Sequence, residues 1–516
     1  MLARSLTSWA AVGTVVALTG FGPEHWFAAA FRSLDSSKAG FAPPAWFDVR
    51  IFIVLVGVAI VVADLLARRL RRTAVETQAA QAPVLALEAA GLAQAARSPA
   101  IAHPPVPERP SIVVLPFDNM SQDPEQDYFS DGIAEDIITD LSKISGLFVI
   151  ARNSAFAYKN TAINVPQVCR DLGVRYALEG SIRKSGNRVR VTAQLIDGAT
   201  GGHVWAERYD RDLTDIFDVQ DDVTRQIVCA LKVTLSEAEE TGIAGSGTKN
   251  VAAHDAFLKG RDLMTAKKDR AHFDKWMACY RRAVELDPDY SDAYAGLSVG
   301  YTIDHQNRWS AHPEQSLGEA ERLADIALAK DGDNPFACFA AALAAQGRKD
   351  FARWQAEIER ALTLNPNFAP AVVALGTLYV YTGAPMKGAP YIERAMRLDP
   401  TVRGQYLHFL GTAYLVAGDD ARAAALFAER ILVNPDTDLS RGLLVAALGH
   451  LGRIEEARRV WRDLMEINPR YALEDHVARL PFKNPADAAR IVAGARLAGV
   501  FDPGSDLPAE VLARPT

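Results

Sequence analysis

The sequence predicts a membrane-anchored multidomain protein in which an α/β domain is followed by an all-α solenoid of helical repeats. Three observations carry this. "IFIVLVGVAIVVADLLA" is long and apolar enough, with its flanks, to cross a bilayer. Strand-like and helix-like patterns alternate between residues 111 and 240. From Pro288 onward a proline recurs at near-constant spacing after an Asp or Asn.

The main span is expected at about 50–67, within an anchor of one or two transmembrane helices over residues 1–72. The shorter apolar run Ser8–Gly22 reads as a first span or as the core of a signal peptide. Trp26, Phe27, Phe31, Trp46 and Phe47 lie between the two runs and suit membrane interfaces. Residues 73–110 are Ala-rich, then Pro-rich, and read as a linker.

The α/β domain is expected over 111–240. "SIVVLPF" reads as a buried strand. Asp131 stands where a helix N-cap belongs, ahead of Ile133, Ile137, Ile138, Leu141 and Ile144 at helical spacing. "LFVIAR" is a second strand, and "VPQVCRDLGV" a short helix closed by Gly173. Val189, Val191, Ala193 and Leu195 alternate with Arg188, Arg190, Thr192 and Gln194, the pattern of a half-buried hairpin strand. "HVWAERYD" is a further strand, and Val219, Val223, Ile227 and Leu231 mark a closing helix.

The solenoid is expected over 251–472. Pro366, Pro400, Pro435 and Pro469 are 34, 35 and 34 residues apart, which is the period of a tetratricopeptide helix pair. The earlier intervals, 47 from Pro288 to Pro335 and 31 from there to Pro366, place an insertion near "YTIDHQNRWSAHPEQ". Gly383, Gly418 and Gly452 each sit 17 residues before a repeat proline, at the turn inside a pair. Ala283, Ala361 and Ala395 each sit five before one, where close packing needs a small side chain. Leu375-Gly376 and Leu410-Gly411 share an offset too, and Gly411 should lie against a neighbouring helix. Residues 473–516 are expected to add a helical cap over the exposed apolar end of the array.

Composition limits function. A net charge of −7 leaves no general footprint for nucleic acid. The four cysteines, Cys169, Cys229, Cys279 and Cys338, form no metal-ligand spacing and read as core thiols. The carboxylates from Asp118 to Asp140 are all local in sequence, whereas a two-metal site needs ligands converging from separate elements. Asp136 and Asp140 share one helix face, expected to be solvated, and Glu135 and Asp136 suit the positive end of the helix dipole. Gly198, Gly201 and Gly202 join two strands rather than a strand to a helix, so they read as a turn and not as a phosphate loop. No catalytic, metal or cofactor-binding residue is therefore assigned. In the repeat register Thr377, His408 and Thr412 face the concave groove and are the candidate partner-binding residues.

The stretches "SIVVLPFDNMSQDPEQDYFSDGIAEDIITDL" and "LGVRYALEGSIRKSGNRVRVTAQLIDGATGGHVWAERYDRDL" resemble the TolB amino-terminal-like region of bacterial multidomain proteins. In that family the region precedes tetratricopeptide repeats and a "PFK-x-PAD" tail, present here at Pro481 to Asp487. The resemblance implies a TolB-like α/β domain and a front effector, either an adenylate cyclase catalytic domain or a DNA-binding domain. The first 110 residues read as anchor and linker, too short for a cyclase domain. The expected function is a non-enzymatic, membrane-anchored scaffold in bacterial signalling, binding a protein or peptide in the repeat groove, as a monomer or homo-oligomer and without nucleic acid. Cyclase-type cyclic AMP signalling, or ligand sensing for a separate effector, are the alternatives.

Sidedness follows from charge. Arg68, Arg69, Arg71 and Arg72 lie directly after the main span, and positive flanks stay in the cytoplasm. The body is therefore expected on the cytoplasmic side of the bacterial inner membrane, the periplasm being the alternative. A fluorescent protein fused after Thr516 should fluoresce, and alkaline phosphatase fused there should be inactive. The reverse pair of results would place the body outside.

Overall fold

The alternating run that begins at Ser111 builds a sheet from its centre outward. In the computed structural model, which describes residues 109–500 apart from 122, 124–125, 162–163, 238, 241–246 and 267–269, β1 (Ser111–Val114) lies parallel to β3 (Phe148–Val149) and to β4 (Tyr176–Ser185). β4, β5 (Arg188–Asp197) and β6 (His203–Asp212) continue as an antiparallel meander, giving the order β3-β1-β4-β5-β6. The short β2 (Asp118–Asn119) also pairs with β4. Every residue of β1 is buried, whereas β5 buries Val189, Val191, Ala193 and Leu195 and exposes Arg188 and Arg190. The apolar run and the alternating run thus become a central and a half-covered strand.

Helices α1 (Asp127–Ser142), α2 (Arg152–Phe156), α3 (Val165–Leu172) and α4 (Ile216–Ala230) complete this domain. Gly173 closes α3 in the left-handed region, with φ of 66°. The helix after the acidic loop starts earlier than the sequence suggests. Asn119 Nδ2 donates to Asp127 Oδ1 at 2.8 Å, α1 begins there, and Asp131 falls inside the helix and is ion-paired with Lys159. Burial pushes the Asp131 carboxyl up, and Lys159 works against that.

Six helix pairs follow: α5 (Val251–Ala266) with α6 (Arg270–Leu286), α7 (Ser291–Asn307) with α8 (Pro313–Lys330), α9 (Pro335–Arg348) with α10 (Phe351–Leu364). Then come α11 (Ala369–Tyr381) with α12 (Pro385–Leu398), α13 (Arg403–Ala417) with α14 (Asp420–Val433), and α15 (Asp438–His450) with α16 (Ile454–Ile467). The predicted insertion is absorbed by the long α7 and α8. Gly383, Gly418 and Gly452 turn the chain between paired helices with φ of 86°, 89° and 69°, a region that penalises any Cβ. Ala283, Ala361 and Ala395 are fully buried. A Cβ on Gly411 would sit 2.7 Å from the Phe427 ring, so the expected close packing is there.

Two further expectations are corrected. Cys169 and Cys338 are buried, but Cys279 is half-buried and Cys229 exposed. The tail makes two helices, α17 (Leu473–Arg479) and α18 (Pro485–Leu497); Leu473 and Val477 of α17 join the apolar cluster of the last pair, and α18 packs on α15. Asp136 and Asp140 do not form a solvated face. Asp140 is buried with Lys143 at 2.9 Å, and Asp136 meets the first solenoid helix. The expected spans and linker, including 51–67, lie outside the described residues. Among the described residues no helix is long and apolar enough to cross a membrane.

Asp136 belongs to a polar cluster that joins the two domains. His254 Nε2 of α5 is 2.9 Å from Asp136 Oδ2, and Gln220 Nε2 of α4 donates to the same oxygen at 2.8 Å. Arg261 of α5 lies 2.8 Å from Glu135 and 3.5 Å from Asp136, while Arg152 pairs with Glu135 at 2.6 Å. Beside it Leu258 packs onto Gly132, where a Cβ would come within 2.1 Å. Two more contacts hold the domain to the middle of the solenoid. Asn367 Nδ2 donates to the carbonyls of Ser142, Ile144 and Leu147 at 3.1, 3.3 and 2.9 Å. Asp399 accepts from Asn153 Nδ2 at 2.8 Å and Ser154 Oγ at 2.6 Å.

Burial opposes ionisation of Asp136, but His254, Arg261 and Gln220 outweigh it and hold the carboxyl below its usual range. Its ionised form therefore stabilises the joint above a pH of about 3.9, and that contribution is lost as pH falls through the lowered value. Asp136→Asn should weaken the joint by about 3 kcal/mol at neutral pH. Hydrogen exchange in α1 and α5 should speed up in the variant, and the gap from wild type should close in acid. Equal exchange at neutral pH would mean the cluster holds nothing together.

Candidate interaction groove

The first helices of the pairs, α5 to α15 in odd numbers, line the inner side of a tetratricopeptide array. Here the chain's own tail lies against that side. α18 packs on α15 and reaches α13. At the crossing the two backbones touch: a Cβ on Gly449 would sit 1.8 Å from the carbonyl oxygen of Gly494, and one on Gly494 would sit 2.3 Å from that of Ala446. Only glycine at both positions permits this approach. His450 Nε2 donates to the Arg490 carbonyl at 2.9 Å, and Arg490 Nη2 lies 2.8 Å from both carboxylate oxygens of Asp420. Further back along the array, the backbone N–H of Lys483 donates to the Tyr381 carbonyl at 2.8 Å, and the Phe482 and Tyr381 rings meet edge to face at 5.0 Å.

The predicted groove residues lie on α11 and α13, the first helices of the fourth and fifth pairs. Thr377 and Thr412 are buried, and their hydroxyls donate to the carbonyls of Ala374 (2.9 Å) and His408 (2.8 Å) on their own helices. Both stand on first helices of their pairs, as the repeat register gives, with their side chains buried and bonded within the helix. His408 Nδ1 lies 3.0 Å from Ser440 Oγ, one repeat on. The structure brings His408 and Thr412 together and leaves Thr377 on α11, in another repeat. On β6, His203 is exposed and Trp205 half-buried.

What sequence reasoning missed is a cleft of about 510 Å³. It is walled by Arg308 at the end of α7, by Asp438 and Leu439 at the start of α15, and by Arg470, Tyr471, Asp475 and Arg479 of the tail. Its floor is ordered by Tyr471, whose hydroxyl is 2.7 Å from His476 Nδ1, and by Asn468 Nδ2, which donates to Asp438 Oδ2 at 2.8 Å. Arg308 holds a left-handed backbone with φ of 53°. Arg308 and Asp475 are 167 residues apart in sequence, so no local pattern could announce the cleft. No group of His, Cys, Asp and Glu that could hold a metal ion occurs among the described residues.

Comparison with known proteins agrees with this division. Residues 108–226 match the family model of the HilA/YgeH-like transcriptional regulator, second domain, and residues 266–290 match a tetratricopeptide repeat model. The chain carries a tetratricopeptide-type solenoid behind a mixed-sheet domain. Over 241 residues it is 50% identical to a Rhizobium meliloti (strain 1021) protein named "Putative adenylate cyclase 3", which covers 47% of this chain. The chain spans 41% of that relative's length. Among solved structures, Pseudomonas aeruginosa PilF is 17% identical, over 43% of this chain and 93% of its own, with a TM-score of 0.34. TolB from Acinetobacter baumannii is 20% identical over 26% of this chain and 30% of its own, with a TM-score of 0.20.

Burial holds the His476 imidazole down to about 4, helped by Arg479 and opposed by Asp438. Burial likewise holds His408 down to about 3, with His476 and Arg430 adding to it. An unfolded histidine takes its proton near pH 6.5, so the docked tail loses stability as pH falls below that value. The loss should reach about 2 kcal/mol per histidine near pH 5. Hydrogen exchange of α17, corrected for its intrinsic pH dependence, should accelerate on acidification, and much less so in His476→Gln. Exchange with no pH dependence would show that the imidazoles are not held neutral.

Proposed function

We propose that this protein is a non-enzymatic, membrane-anchored scaffold whose solenoid holds an extended segment of a partner protein in the cleft beside the tail. The cleft carries the reading. Arg308, Arg470 and Arg479 share the cleft wall with Asp438, Asp475 and the exposed Leu439. Cations, anions and an apolar contact in one channel suit a peptide of mixed charge better than a small anionic metabolite. We take the α/β domain to be TolB amino-terminal-like, serving as the brace that holds the array, and the body to lie in the cytoplasm.

The relative's name supports a second reading, in which the chain works in cyclic AMP signalling. An assay of the purified chain for cyclic AMP formation from ATP with magnesium or manganese discriminates, since turnover above background would replace the scaffold reading. For the scaffold itself, a photo-reactive side chain placed at Leu439 should crosslink to a discrete partner in native membranes. Arg308→Glu together with Arg470→Glu should abolish that adduct while the fold is kept. An adduct that survives both changes would show that the partner does not use the cleft.

A further inference from the structure

Strand β6 is an edge of the sheet, ten residues long, in the order β3-β1-β4-β5-β6. A long free edge is a template for another strand, and proteins commonly guard one with mismatched charge. The charges of β6 are of a different kind. "ERYDR", Glu207 to Arg211, is its own electrostatic complement when read antiparallel about Tyr209. We propose that β6 pairs with β6 of a second copy of this chain, across a two-fold axis at Tyr209, and joins two sheets into one.

The backbone admits this register. The N–H of Leu213 donates to the Asn187 carbonyl at 2.8 Å, and the ladder continues with Arg211 opposite Val189 and Tyr209 opposite Val191. Antiparallel pairs alternate between bonded and non-bonded. The odd-numbered residues of this stretch therefore turn their N–H and C=O groups toward β5. Arg208 and Asp210 turn theirs outward, to the free edge. With the axis at Tyr209, Arg208 of one copy faces Asp210 of the other as a bonded pair. Tyr209 faces its own copy, and Glu207 faces Arg211, as non-bonded pairs. Tyr209 is buried toward its own domain, so the axis carries no charge.

The charges select this axis over its neighbours. An axis at Glu207, Arg208, Asp210 or Arg211 would set that residue against itself, like charge on like charge, which destabilises a ladder. Within one chain Asp210 is satisfied by Arg190 across the β5–β6 pair, 2.8 Å away. Glu207 forms no ion pair with a described residue. Among the described residues the Arg211 guanidinium donates only to the Asp210 carbonyl, at 3.1 Å. That bond covers one outward acceptor and is exchanged for Glu207 of the second copy on pairing. Glu207 and Arg211 are exposed and stand four residues apart on one face of the strand.

The test is a charge swap in the full chain, held in non-ionic detergent and followed by sedimentation velocity over a range of concentrations. The wild type should dimerise reversibly. Glu207→Arg and Arg211→Glu should each weaken the dimer on the order of tenfold or more, because each puts two like-charge pairs across the axis. The two changes together should restore it, since they only exchange the signs. A chain that stays monomeric, a dimer indifferent to the single changes, or a double variant no better than the singles would overturn the proposal. A separate check is Glu207→Cys with Arg211→Cys in a Cys229→Ser background. Opposed non-bonded residues lie about 4.5 Å apart at Cα, within disulfide reach. Mild oxidation should therefore link two chains, whereas two such positions on one strand are too far apart to link within a chain. Oxidised protein that remains a single chain would contradict the pairing.

Discussion

Asp136 can stay ionised inside the molecule because His254 and Arg261 meet it from the first solenoid helix and Gln220 from its own domain, while Glu135 beside it pairs with Arg261 and Arg152. An enclosed carboxylate without such partners costs several kcal/mol, so the domain and the array must dock in this one arrangement or leave charge stranded. Arg261, itself enclosed, keeps its proton because Glu135 and Asp136 more than offset the burial that works against it. The cluster acts as a register key: apolar surfaces would tolerate sliding, whereas two carboxylates and their cations fix one position.

From that key the rest of the geometry follows. The α/β domain touches α5 at the first repeat, Asn367 after the third pair, and Asp399 to Thr401 after the fourth. A solenoid alone is a chain of nearest-neighbour contacts and can flex along its length. A second domain fixed at three points along it removes that freedom. The apolar core is shared as well, since one cluster runs from Ile112 and Leu141 into Val372 and Leu398. With its curvature held, the array can bring Arg308 of the second pair next to Asp475 of the tail, which forms the cleft.

The tail changes what a tetratricopeptide groove means in this protein. Over α13 and α15 the inner side is already covered by α18 through the Gly449–Gly494 crossing and the Arg490–Asp420 pair. Ile491 and Ala495 are fully buried there, so the segment is part of the core. The cleft proposed for a partner lies at the margin between tail and array, and its wall carries three arginines and two aspartates.

Much of this was legible in the sequence, and the residues show why. The repeat prolines, the turn glycines and Gly411 are fixed by local backbone geometry and by packing against the next helix, and such constraints recur at the repeat period. The alternation of β5 is likewise local. Asp136 and Asp140 could not be placed that way, because a helix face is solvated or buried according to what packs on it, and α4 and α5 come from far along the chain. The same holds for the burial of Thr377 and Thr412, which lie on the helices that the repeat register assigns them. The sequence by itself determined the elements, their order and the repeat. Only the tertiary structure decided which charges face each other and where the tail lies, because both depend on contacts between residues more than a hundred positions apart or on a chain reversal that no local pattern encodes.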